Sequence, residues 1–200
     1  MDEFVCTVTR MASVDGGDGV RLTLADFPDG EGRTLTVSAD DFLALRLARG
    51  GMDADTLAAV TAAAGRYAAL RAAVRMLGAG QCSRRRLYEK LRAHRIPDAD
   101  AAFAVETAYA AGYIDEDWQL KSYIRTLTAQ KQYGPRKLYA ALAAKGYRGD
   151  DIRRAMDESF GEEEIRAARR AFLEKKFGKT APATRDEAAA MRQALYKQGF

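Results

Sequence analysis

Two short runs of basic residues lie where helices are expected to begin. Ser83 is a typical N-cap, and Arg84–Arg86 follow it in the first turn. Gly134–Pro135 open a second helix, since proline is tolerated at the first helical position, and Arg136–Lys137 come next. Cations there oppose the helix dipole by about 0.3 to 1 kcal/mol each, and positions that break a local rule are often functional. Helix N–H groups beside guanidinium groups predict a site for phosphate or for a partner's carboxylates.

Further cations extend this prediction. Lys121 and Arg125 share a helix face at i, i+4, and Arg71 and Arg75 repeat that spacing earlier in the chain. Such a row would add salt-sensitive affinity for an acidic polymer without recognising sequence. The alternative is a solvated polar face. The candidate partner- and anion-binding residues are Arg84, Arg85, Arg86, Lys90, Lys121, Arg125, Lys131, Arg136, Lys137 and Lys145.

Other reactive side chains give no catalytic or metal-binding pattern. Cys6 and Cys82 are not part of a C-x-x-C pair, and a single histidine, His94, cannot form a multi-histidine site. The acidic runs 115–117 and 162–164 are best explained as helix-start residues that match the dipole. We therefore expect no metal, no cofactor and no enzymatic activity. Reduced cysteines, the absence of a long apolar run and an acidic, alternating start predict a cytoplasmic protein without a membrane segment.

The elements that must position these residues begin with strands. Apolar residues alternate from Phe4 to Val37, with glycine-rich turns between, which predicts a small antiparallel unit of three strands. Ser38 or Asp40 can cap a helix through Leu47 that ends at Gly50–Gly51, and Asp53 can cap another helix. We expect no strand after this point.

The remainder is helical and repeats itself. Residues 69–77 align with 119–127, and residues 83–91 align with 134–142. We expect an N-terminal domain over 1–64, three-helix repeats over 65–114 and 115–161, and an incomplete repeat of two helices over 162–200. The fold class is mainly α with a small N-terminal β-containing region, and the tandem repeats form an elongated, curved array.

Aromatic residues in these repeats are expected in the core rather than against nucleic acid bases. Tyr88 and Tyr139 are equivalent and lie beside the leucine stripe, and Trp118 is expected to pack between helices. In the third helix of the first repeat, Tyr109 is expected on the core face with Ala101 and Val105.

Charge is distributed unevenly over the 200 residues. Residues 1–65 contain five Lys or Arg and eleven Asp or Glu, a balance of −6, so residues 66–200 carry +10 and the whole chain carries +4. The basic part is a candidate for binding nucleic acid or an acidic protein surface.

The pattern resembles the RecX family of bacterial RecA regulators. The resemblance rests on residues 112–117, on Tyr133–Leu138 with Leu142, and on Lys145–Tyr147 with Asp151–Ile152. A β-containing region followed by tandem three-helix repeats is also the family's organisation. Trp118–Gln119 departs from the family's usual Phe-Ala pair, and the last helix of the third repeat is missing.

The resemblance implies a monomeric, non-enzymatic cytoplasmic protein that binds the RecA filament on single-stranded DNA. It would restrain recombinase and coprotease activity in homologous recombination, DNA repair and the SOS response. The alternative is a helical module that binds DNA or RNA directly and acts independently of RecA.

Overall fold

The computed structural model describes residues 4–178 and 181–200. Its strands are β1 (Phe4–Val14), β2 (Gly19–Ala25), β3 (Arg33–Ser38) and β4 (Gly50–Asp53). Its helices are α1 (Ala39–Ala44), α2 (Ala54–Ala79), α3 (Arg84–Ala93), α4 (Asp98–Ala110), α5 (Glu116–Lys131), α6 (Pro135–Ala144), α7 (Gly149–Ser159), α8 (Glu162–Phe177) and α9 (Arg185–Gln198). The expected fold class, mainly helical with a small N-terminal sheet, is confirmed.

The N-terminal sheet has the antiparallel order β3-β2-β1-β4. Alternation places Val8, Leu22 and Val37 in the core, where each is at most 2% exposed. The expectation of three strands was wrong, because Gly50–Asp53 pairs with β1 as a fourth strand. Only pairing reveals this strand, since it has four residues and begins with two glycines.

Two helix boundaries in this region follow from caps. Ser38 Oγ accepts a hydrogen bond from the Asp41 main-chain N–H, and α1 then ends at Ala44 rather than at Leu47. Asp53 Oδ1 accepts one from the Thr56 main-chain N–H at 2.7 Å, as expected for the cap of the next helix. That helix, α2, continues without a break through positions 64 and 65, where a domain boundary was expected.

The described residues divide into two compact units. The first contains the chain up to Ala79 together with Tyr88–Ala110, and the second contains Gly80–Leu87 and Ala111–Phe200. The four sequence-based segments, the equivalence of the repeats and the curved array stay predictions.

The core of the first unit is built on α2. This helix buries mostly small residues, among them Ala63, Ala69 and Ala73, and packs against β3 and α4. Small side chains allow neighbouring backbones to approach closely.

The prediction for Tyr109 was wrong, because α4 buries Ala101, Ala104, Val105 and Ala108 and leaves this tyrosine 42% exposed.

Close approach also explains the glycine that opens β2. A Cβ atom at Gly19 would lie 2.5 Å from the Tyr67 hydroxyl oxygen, which is closer than real Cβ contacts allow. The Tyr67 hydroxyl donates to Asp15 Oδ2 at 2.7 Å, and Arg71 donates to Asp15 Oδ1 at 2.8 Å. The turn between β1 and β2 is thereby held against α2.

The core of the second unit is formed by α5, α6 and α7. Leu120, Ile124, Leu138, Leu142 and Ile152 are each at most 1% exposed. Their spacing follows the helical period, as the sequence predicts.

Within the described residues, no helix combines the length and the apolar character needed to cross a membrane.

Candidate partner-binding site

The start of α3 contains the first basic run, and its anion-binding groups have a partner within the chain. Ser83 is 1% exposed and caps the helix by accepting from the Arg86 main-chain N–H at 3.3 Å. The Glu116 carboxylate accepts from the Arg84 main-chain N–H at 2.8 Å and from its Nε at 3.1 Å. The anion expected from a partner is therefore supplied here by the chain's own Glu116.

Ser83 also ties this helix start to a later loop. Its hydroxyl donates to the main-chain oxygen of Lys145 at 2.8 Å. Gly146 follows with a φ of +90°, and a Cβ atom there would lie 2.8 Å from Ser83 Oγ. Only glycine fits this turn, since both the backbone conformation and the space require it.

The start of α6 contains the second basic run and contacts the last residues of the chain. The Gly134 main-chain N–H donates to the Gln198 main-chain oxygen at 2.9 Å, and the Arg136 main-chain N–H donates to that of Gly199 at 3.1 Å. N–H groups of the first turn that no intrahelical carbonyl could satisfy thus find acceptors.

The side chains of this run bind the same segment. The Arg136 guanidinium donates to the Phe200 main-chain oxygen at 2.7 Å and lies 4.3 Å from the Tyr196 ring centroid. Lys137 Nζ donates to Gln198 Oε1 at 3.1 Å. The two residues thus hold the C-terminal segment in place, which is a structural role that the sequence analysis did not anticipate.

Lys121 belongs to a cluster of opposite charge. Its ammonium lies 2.8 Å from Asp117 Oδ2 and 2.8 Å from Glu158 Oε2. The hydrogen bonds to Asp117 and to Glu158 raise the pKa of Lys121 above its ordinary value. The positive charge of Lys121 is therefore offset locally.

Three other candidate lysines lie against tyrosine rings. Lys145 Nζ is 4.3 Å from the Tyr123 ring centroid. Lys131 Nζ and Lys137 Nζ lie 5.9 Å and 4.6 Å from the Tyr133 centroid, so the structure brings these two candidates together. The arrangement is that of cation–π pairs, which leave the charge available to a partner.

The remaining candidates lie on the surface. Arg85, Arg86, Lys90 and Arg125 are exposed. No Asp or Glu of the described residues forms an ion pair with Lys90 or Arg125. The partner-binding role of all ten candidate residues stays a prediction.

The sequence analysis missed a buried polar chain in the second unit. Tyr147 Oη donates to Gln119 Oε1 at 2.7 Å, and Gln119 Nε2 donates to Gln81 Oε1 at 3.1 Å. Gln119 is 2% exposed, and burial raises the pKa of Tyr147 above its ordinary value. The only sequence signal was the departure from the family's Phe-Ala pair at Trp118–Gln119.

Trp118 itself lies on the surface. It is 58% exposed, so the expectation that it packs between helices was wrong. Core-facing positions of α5 are taken by Leu120, Ile124 and Leu127, which turns position 118 toward solvent.

Acidic residues lie at the starts of α5 and α8, where a carboxylate can cap the helix or match its dipole. Asp115 Oδ1 accepts from the Trp118 main-chain N–H at 2.9 Å and caps α5, and the run 162–164 forms the first turn of α8. Among the described residues, no group of three or more His, Cys, Asp or Glu side chains could hold a metal ion.

Comparison with curated proteins gives relatives that share one name. A regulatory protein RecX from Thermus thermophilus is 34% identical over 102 residues, which are 51% of this chain and 70% of that protein. A regulatory protein RecX from Geobacillus thermodenitrificans is 28% identical over 167 residues, which are 83% of this chain. The chain spans 62% of the length of the Geobacillus relative.

Solved structures share the fold. A crystal structure of a regulatory protein RecX superposes with a TM-score of 0.77 at 19% identity, covering 98% of this chain and 94% of the other. RecX from Lactobacillus salivarius gives a TM-score of 0.60 at 18% identity, covering 68% of this chain and 88% of the other. No protein-family model matches the chain. On the sequence identity to the Thermus protein, with the fold in agreement, the chain belongs to the RecX family.

Proposed function

We propose that this protein is a non-enzymatic regulator that binds the RecA filament on single-stranded DNA and inhibits its recombinase and coprotease activities. The observation that carries the proposal is membership of a family whose curated relatives are regulatory proteins. A role in homologous recombination, DNA repair and the SOS response follows from the resemblance to RecA regulators. We place the protein in the cytoplasm, as a monomer.

The exposed cations supply the proposed contact surface. Arg85, Arg86, Lys90 and Arg125 are exposed. Arg136 and Lys137 are left out of this surface because they bind the C-terminal segment. Weak contacts from several cations to repeated acidic sites of a filament would add up to useful affinity through avidity.

The test is a triple charge reversal of exposed residues in the second unit. Arg85→Glu, Arg86→Glu and Arg125→Glu together should abolish most inhibition of RecA's DNA-dependent ATPase and strand exchange, because each reversal replaces attraction by repulsion. Arg136 and Lys137 are left intact, since they hold the C-terminal segment.

A matched control carries the same change of charge elsewhere. The control changes three exposed arginines of α8 and α9 together, as Arg169→Glu, Arg170→Glu and Arg192→Glu. It should leave inhibition close to wild type. Full inhibition by the first triple variant would refute the proposed surface. Failure of the wild-type protein to co-sediment with RecA filaments would refute the proposed function.

A further inference from the structure

A pocket of about 470 Å³ lies in the second unit, where the ends of α5, α8 and α9 meet. Its lining consists of three lysines, three glutamines and Phe172, with no Asp or Glu. The lysines are Lys131, Lys175 and Lys176, and we call this site the lysine pocket. A concave surface that gathers one sign of charge concentrates its field and attracts counter-ions.

The charge of the lysine pocket is not neutralised within the part of the chain that the structure describes. None of its three lysines forms an ion pair with a described carboxylate, in contrast to Lys121 with its two acidic neighbours. Lys176 Nζ lies 5.7 Å from the ring centroids of both Phe172 and Phe177. An anionic ligand would supply the missing counter-charge.

The end of a helix normally opposes such a ligand, because its free carbonyl oxygens are partly negative. At the end of α5, glutamine amides cover those oxygens. Gln198 Nε2 donates to the main-chain oxygens of Lys131 and Gln132, and Gln132 Nε2 donates to those of Ala129 and Gln130 at 2.9 and 3.2 Å. The end of α5 therefore presents satisfied carbonyls beside the ammonium groups.

We propose that the lysine pocket binds single-stranded nucleic acid, with one phosphodiester group among the three ammonium groups and its nucleoside against Phe172. The volume lies within the range of about 300 to 1,000 Å³ that small-molecule sites occupy, which is the size of site that one nucleotide requires. A half-buried aromatic ring offers the stacking surface on which single-strand binding relies.

The lining favours a nucleotide over an acidic peptide because an aromatic ring lies beside the cations. All three cations of the lysine pocket are lysines, which act as point charges toward phosphate. Ammonium groups attract a carboxylate as well, so the ring of Phe172 is the feature that distinguishes the two ligands. This inference goes beyond the proposed function, because it requires no RecA.

The test uses the full-length protein and a fluorescein-labelled oligothymidylate, with affinity measured by fluorescence anisotropy against salt. Lys175→Gln with Lys176→Gln should weaken binding by about tenfold or more and reduce the magnitude of the salt slope by about 0.7, since the one phosphate contact of the lysine pocket to a single strand contributes about that much. Phe172→Leu keeps the apolar bulk and removes the ring, and should weaken binding several-fold.

The matched control is Arg169→Gln with Arg170→Gln, which removes the same charge from exposed positions of the same helix outside the pocket. This control should change affinity by less than about threefold. Equal losses in the two double variants would overturn the assignment to the lysine pocket. Absence of binding by the wild-type protein would overturn it as well.

Two further ligands separate the alternatives. Tighter, lysine-dependent binding of a polyglutamate peptide would replace nucleic acid by an acidic protein partner, and equal affinity for duplex DNA would overturn the preference for single strands. Inhibition of RecA by the Lys175 and Lys176 double variant is measured in parallel. Loss of oligothymidylate binding with full RecA inhibition would support the lysine pocket and leave the proposed function standing.

Discussion

At the scale of single residues, Gln119 is the most deeply buried polar side chain among the described residues of α5. Its carbonyl accepts from the Tyr147 hydroxyl and its amide donates to Gln81, and both Gln119 and Tyr147 are buried. A buried amide without partners would cost free energy, whereas a fully paired one costs little. A glutamine is tolerated at this buried position because Tyr147 and Gln81 both form hydrogen bonds with it.

We expect Tyr147→Phe to lower the free energy of unfolding by about 1 to 3 kcal/mol. The substitution keeps the ring in the core and removes the donor to Gln119 Oε1, which leaves a buried acceptor unpaired. Urea denaturation at neutral pH measures the change.

Two further variants test the cause. Tyr113→Phe removes a hydroxyl from a 54% exposed side chain and should change stability by less than about 0.5 kcal/mol. Gln119→Leu combined with Tyr147→Phe should be less destabilising than the sum of the single changes, because no unpaired group remains between them. Strict additivity would contradict the hydrogen bond as the cause.

At the scale of elements, the segment after α9 caps α6. Gly199 follows α9 with a φ of +95°, and its main-chain oxygen accepts from Arg136. A Cβ atom at Gly199 would lie 2.5 Å from the main-chain nitrogen of Lys137. The contact between the two helix ends thus depends on a residue without a side chain.

We expect Gly199→Ala to destabilise the second unit by more than the cost of the left-handed conformation, which is about 1 to 2 kcal/mol for a residue with a Cβ. The excess comes from displacement of the segment that caps α6. Hydrogen exchange should be faster at the first amides of α6 and along α9. Urea denaturation should show a loss of unfolding free energy that exceeds the conformational cost.

Gly112→Ala is the matched control. Gly112 has a φ of +77°, and a Cβ atom added there would meet no atom within 4 Å, so the variant should show the conformational cost alone. Equal losses for the two variants would mean that the contact with Lys137 does not stabilise the C-terminal segment.

At the scale of the whole molecule, each compact unit has its own core and its own buried tyrosine. In the first unit, burial and the hydrogen bond to Asp15 raise the pKa of Tyr67 from 10 to about 12. In the second unit, burial raises the pKa of Tyr147. Both shifts have the same sign, so both units lose stability in alkali.

We expect the contribution of these two tyrosines to stability to be complete below pH 10 and to fall as the pH rises toward 12. The unfolded chain loses the phenolic protons near pH 10 while the folded chain retains them, so the unfolded state is favoured by up to about 1.4 kcal/mol per pH unit for each tyrosine. Urea denaturation across pH 9 to about 12 measures the decline.

Tyr67→Phe should flatten part of that decline and leave the remainder to Tyr147. Asp15→Asn should lower the pKa of Tyr67 only in part, because burial is the larger cause of the shift. An identical alkaline decline in the wild-type protein and in Tyr67→Phe would show that Tyr67 does not titrate as described.

Predictions from the sequence succeeded where a short-range pattern determines the structure. The cap at Asp53, the cap at Ser83 and the helical spacing of Leu138 and Leu142 depend on neighbours a few residues away. Predictions failed where residues far away in the sequence determine the structure. The strand β4 forms by pairing with β1, and the exposure of Trp118 depends on how α5 packs.

By itself the sequence determined the class of the fold, the acidic N-terminal and basic C-terminal parts and the family, because periodicity, caps and motif spacing are local properties of the chain. Only the tertiary structure decided which groups of the chain Arg84 and Arg136 bind. Glu116 reaches Arg84 from 32 positions away and Phe200 reaches Arg136 from 64 positions away, and contacts over such separations depend on packing rather than on sequence spacing. The same packing brought Lys131 of α5 together with Lys175 and Lys176 of α8 in one pocket.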